Sequence, residues 1–98
     1  MVKVVQMNQA ATLAISLIAE YLEAEYSYQT AVNFVDSVYR TIEKIKEHPT
    51  RGRTTPTSKT LQFLNIDKHR QLFYRMKGTT LVIVNVFDTR QHPSKRPK

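Results

Sequence analysis

The spacing of apolar residues changes period once along this chain, and the change divides it into a helical half and a stranded half. Ala11, Ala14, Ile15, Ile18 and Leu22 repeat every three or four residues, the signature of one buried helix face, running to about Glu25. Asn8 is placed to cap that helix, and a short strand over residues 2–6 precedes it. Ser27 can cap a second helix, whose stripe is Ala31, Phe34, Val35, Val38, Ile42 and Ile45. Only one or two residues separate the stripes, which predicts an antiparallel hairpin. His48-Pro49 ends the second helix, because proline cannot continue the hydrogen-bond ladder and restricts the residue before it.

Beyond Pro49 the period falls to two. Residues 50–58 contain Gly52 and Pro56 and read as a loop. Three strands are then expected: Leu61 to Ile66, Gln71 to Met76, and Thr80 to Phe87, the last rich in β-branched residues. Lys77-Gly78 is read as the tight turn before the last strand. Strict alternation sets Leu81, Ile83 and Asn85 opposite Val82, Val84 and Val86; both faces are apolar, as in a central strand. The expected architecture is α+β, in the order β-α-α-β-β-β, with a two-helix antiparallel hairpin on a small, twisted, mainly antiparallel sheet of about four strands. Residues 1–98 make one domain, with a flexible basic tail over 91–98.

Charge follows the same division. Eleven Lys or Arg face only Asp67 and Asp88 from Pro49 onward, whereas the first 48 residues carry four basic and six acidic side chains. A stranded half so biased attracts acidic partners: nucleic acid, a nucleic-acid machine or an acidic protein. The chain is 41 % hydrophobic, with regular spacing, and disorder is a poor reading. No apolar run is long enough to span a membrane and the start lacks a signal peptide, so a cytoplasmic location is expected. Without cysteine there is neither disulfide nor thiolate chemistry. No cofactor or metal is expected, since Asp88 has only His92 at useful spacing.

Six segments in order carry a resemblance. They are Ala31-Val32-Asn33-Phe34, Ile42-Glu43-Lys44-Ile45, His48-Pro49-Thr50-Arg51-Gly52-Arg53, Asn65-Ile66-Asp67-Lys68-His69, Leu72-Phe73-Tyr74-Arg75, and Val84 through Pro93. Together they resemble the RelE/ParE family, the toxins of bacterial type II toxin–antitoxin (plasmid-stabilisation) pairs. The resemblance implies a compact toxin that arrests growth and is neutralised by a cognate antitoxin wrapped over its surface. The ParE-like branch poisons DNA gyrase; the RelE-like branch cuts messenger RNA on the ribosome.

Metal-free RNA cleavage needs groups that move the 2′-hydroxyl proton, offset phosphoryl charge and protonate the leaving oxygen. Lys68, His69, Arg75, Arg90 and His92 are the candidates, with Tyr74 as a remote one. RelE-like nucleases carry an arginine on the strand before the Leu-Phe-Tyr segment, where this chain has Leu61 and Gln62, with Lys59 further out. They also carry a catalytic tyrosine in a terminal stretch after the final arginine, where this chain has His92 and no tyrosine after Tyr74. Arg90 matches both branches. The resemblance therefore implies a ParE-like toxin acting without catalysis, whose target- or antitoxin-binding residues are Lys68, Arg75, Lys77 and Arg90. The alternatives are a ribosome-dependent endonuclease using Arg90, Arg75, His69 and His92, and a non-toxic interaction module. In isolation a homodimer can cover the patch that an antitoxin leaves bare.

Overall fold

The computed structural model describes residues 1–56 and 58–89; the tail over 91–98, Arg90 and His92 lie outside the described residues. The elements are β1 (Val4–Met7), α1 (Gln9–Glu25), α2 (Tyr28–Glu47), β2 (Arg53–Thr55), β3 (Ser58–Asn65), β4 (Arg70–Lys77) and β5 (Thr80–Asp88). The expected β-α-α-β-β-β order holds, with one short strand added. β2 lies where a loop was expected and brings the sheet to five strands, in the order β1-β5-β4-β3-β2. Arg53 and Thr54 pair with Phe63 and Gln62 before a register shift at Thr55. Three residues suffice at an edge, where the following Pro56 costs no ladder bond.

Local chemistry sets the helix ends. The Ser27 Oγ accepts the Thr30 amide at 3.1 Å and caps α2. Lys44 and Lys46 stand in its last turn, where the helix dipole favours cations. Asn8 holds the extended N-cap backbone of α1, but its side chain makes no capping hydrogen bond. Its amide donates instead to the Ile83 carbonyl at 3.0 Å, fixing the start of α1 to the central strand.

The core forms where the two helix stripes meet one face of β4 and β5. Leu22, Val38, Ile45, Leu72, Tyr74, Leu81 and Ile83 are fully buried there. Truncating one of these aliphatic side chains to Ala should cost about 2–5 kcal/mol. β1 pairs parallel to β5, and the remaining strands form an antiparallel meander. Gly78, at φ 63°, occupies with Thr79 the two-residue turn between β4 and β5.

Strict alternation along β5 does not hold. Phe73 pairs with Asn85 and Tyr74 with Ile83, so Val84 is an extra residue in a β-bulge. Leu81 and Ile83 therefore share the core face with Val86 and Asp88, which alternation would have placed opposite. Among the described residues no helix is long and apolar enough to cross a membrane.

Candidate functional site

Tyr74 ties the stop after α2 to the sheet. Its ring is fully buried. Its hydroxyl donates to the Pro49 carbonyl at 2.9 Å and accepts the Gly52 amide at 2.9 Å. Burial pushes the phenol upward from its ordinary value, only partly opposed by the Gly52 amide, and keeps it a neutral hydrogen-bond donor. This clamp fixes the backbone that presents Arg51 and starts β2 at Arg53.

A second fixed point lies at the opposite end of β4. Asp67 closes the turn between β3 and β4. Its Oδ1 accepts the His69 and Arg70 amides at 2.8 and 3.0 Å, and its Oδ2 accepts Arg70 Nη1 at 2.7 Å. Burial alone would raise this carboxyl. The His69 amide and the Arg70 guanidinium and amide outweigh it and hold Asp67 below the ordinary carboxylate value. Arg70 is itself buried, 5.2 Å above the Phe34 ring, with its Nε 3.2 Å from Asp88 Oδ2. Those two atoms are misaligned for a hydrogen bond, so this contact is coulombic. Thr89 then donates through both its amide (2.7 Å) and its Oγ1 (3.0 Å) to the His69 carbonyl. The end of β5 is thereby fixed beside Lys68 and His69.

Between these points the helix-free face of the sheet carries an aromatic row. Phe63 and Phe73 lie 5.4 Å apart in a tilted pair, and Phe73 and Phe87 lie 5.4 Å apart edge to face. Arg53, Phe63, Phe73 and Asn85 stand side by side across four strands. Alternation along β4 puts Arg75 and Lys77, both exposed, on the same face as Phe73. Among the described residues neither they nor Lys68 takes part in an ion pair.

The sequence-derived candidates thus fall into two groups. Arg75 and Lys77 join Arg53 and the phenylalanines on the open face, while Lys68 and His69 sit in the turn beyond the other end of β4. Six residues along a strand separate His69 from Arg75, about 20 Å at ~3.3 Å per residue. Among the described residues the His69 imidazole makes no hydrogen bond. Tyr74, the remote candidate, is a buried strut whose hydroxyl is taken up by Pro49 and Gly52. Asp88 faces Arg70, so it belongs to a buried ion pair. Sequence reasoning missed Arg70, Arg53 and the phenylalanine row. The i,i+3 spacing of Asp67 and Arg70 was a signal for the first; the others depend on strand register.

No protein-family model matches the sequence, and no characterised protein matches it by sequence. Among solved structures the chain is similar to one from the chromosomal ParDE TA system of P. aeruginosa. The TM-score is 0.74 at 13 % identity, over 87 % of this chain and 94 % of that one. At that identity the likeness establishes a shared fold, the RelE/ParE-like α+β arrangement.

Proposed function

We propose that this protein is the toxin of a type II toxin–antitoxin pair, of the ParE-like kind. It acts in the cytoplasm as a single domain with a basic tail over 91–98. It arrests growth by poisoning DNA gyrase and is neutralised by a cognate antitoxin. The shared fold supports the toxin–antitoxin reading. The observation that carries the ParE-like choice is the separation of His69 from Arg75. Acid–base chemistry requires a proton-moving group within hydrogen-bond reach of the same substrate atoms that a cation neutralises. His69 and Arg75 stand at opposite ends of β4 with a row of phenylalanines between their positions.

Lys68, Arg75, Lys77 and Arg90 then serve as contact residues, attracting an acidic target or antitoxin segment. A second reading, metal-free cleavage of messenger RNA on the ribosome, draws on one feature: exposed arginines beside a row of half-buried aromatic rings suit stacking of unpaired bases. In that reading His69 and His92 compete for the proton-transfer role, with Arg90 and Arg75 offsetting phosphoryl charge. Expression from a tightly controlled promoter tests the shared premise. Growth should stop on induction and resume when the small gene beside it is co-expressed; unimpaired growth would leave only the non-toxic interaction module.

A further inference from the structure

The two helices of the hairpin are built differently. α2 is cleanly amphipathic: apart from two tyrosines, its exposed positions include the charged Asp36, Arg40, Glu43 and Glu47. α1 is apolar beyond the face it buries. Ala11, Ile18 and Leu22 point into the core, yet Leu13 and Leu17 are 60 % and 54 % exposed. They stand one turn apart and so share a flank, continued by Ala10 three residues before and Glu20 three residues after. Two neighbouring exposed leucines on a helix with a satisfied core face mark an unpartnered surface.

Its charge pattern specifies the occupant. α1 contains Glu20, Glu23 and Glu25 and no Lys or Arg. The latter two stand in its last turn, where the helix dipole is already negative. Its first turn has no acidic residue, and Asn8 supplies no side-chain cap there. Each end of α1 therefore lacks what the other end offers. We infer that α1 is the interface for a second copy of this chain, packed antiparallel about the Leu13–Leu17 flank. In that register Leu13 meets Leu17 of the second copy, and Glu20 lies over Ala10 of the second copy, near its electropositive first turn. A parallel pairing would set glutamates against glutamates. One helix face falls short of the ~800 Å² per partner of a standard interface, so the dimer is weak and reversible. A dissociation constant of about 10 µM is expected. This inference holds whether or not the toxin reading does.

Sedimentation equilibrium on the purified full chain should show a monomer–dimer equilibrium. Leu17→Glu should weaken it at least tenfold while leaving the circular-dichroism melting curve in place. Orientation is read independently with the leucines intact. The chain has no cysteine, so Ala10→Cys and Glu20→Cys each introduce one thiol. Mixed and oxidised, the two variants should give mainly the heterodimer, with position 10 of one chain disulfide-linked to position 20 of the other. A wild-type chain that stays monomeric to about 1 mM, a dimer indifferent to Leu17→Glu, or a predominance of disulfide-linked homodimers would each overturn the inference. A monomer that uses this flank only in a complex with its antitoxin would overturn it equally.

Discussion

Tyr74 and Gly52 are locked to one another: the phenol accepts the Gly52 amide at 2.9 Å, and its ring lies where a side chain at position 52 would have to stand. A Cβ there would come within 2.8 Å of the Tyr74 Cζ and meet the hydroxyl more closely still. The ring is buried and cannot swing away. Gly52 is therefore required by close approach of a neighbour, with no appeal to an unusual backbone angle. Gly52→Ala should destabilise the fold by about 1–3 kcal/mol. Tyr74→Phe should cost about 1–3 kcal/mol by leaving the Gly52 amide and the Pro49 carbonyl without their shared partner. The double variant should cost less than the sum, because the hydroxyl is the first atom the new methyl meets. Urea unfolding of the four proteins measures all three terms.

The buried charges predict an asymmetry. Arg70→Ala should cost about 3–5 kcal/mol, since it strips Asp88 and Asp67 of the guanidinium packed against them. Arg70→Met combined with Asp88→Leu should recover most of that loss, because apolar residues of similar volume carry no desolvation penalty. Chemical denaturation separates the outcomes; equal losses in the single and double variants would argue against a buried-charge origin.

Both shifted groups give the stability a pH signature. The folded-state pKa of Asp67 is depressed, so its contribution is present above the unfolded value, about 3.9, and disappears as pH falls through the folded one. The folded-state pKa of Tyr74 is raised above 10.0, so its contribution is complete below 10.0 and fades as pH rises toward the folded value. Asp67→Asn should flatten the acid limb of a melting-temperature profile and Tyr74→Phe the alkaline limb. Each substitution should leave the opposite limb unchanged.

Arg75 and Lys77 are exposed and carry charge without an ion pair among the described residues. Arg75→Glu and Lys77→Glu should change stability by less than about 0.5 kcal/mol. Each should weaken binding to an acidic target or antitoxin segment about tenfold or more, with the gap narrowing at high salt. Titration calorimetry at two salt concentrations reads this directly.

The helices were legible because their stripes are local: Ala31 to Ile45 states its own period, and Ser27 and Pro49 mark its ends. The strands that pair over long distances were less so. β2 is three residues long beside Pro56, and only its pairing with Phe63 makes it a strand. The bulge at Val84 exists only relative to β4, so alternation alone put Val86 on the wrong face. Tyr74 could not be read as buried and satisfied, because its partners lie 22 and 25 residues away in sequence. Lys68, Arg75 and Lys77 are candidates by charge; that Lys68 and Arg75 belong to different ends of β4 follows from the strand's placement in the sheet. Arg90 and His92 lie outside the described residues, so the part of Arg90 in the site rests on the resemblance and that of His92 on imidazole chemistry alone.

Supercoiling by purified DNA gyrase, titrated with the purified chain, decides between the two branches when run beside a cleavage assay on messenger RNA bound to programmed ribosomes. Gyrase should be inhibited, the antitoxin should restore it, and Arg75→Glu and Arg90→Ala should lose the effect while remaining folded. The ribosomal messenger should stay intact. Unaffected gyrase together with clean cleavage in the ribosomal A site would refute the ParE-like assignment and move the protein to the nuclease branch.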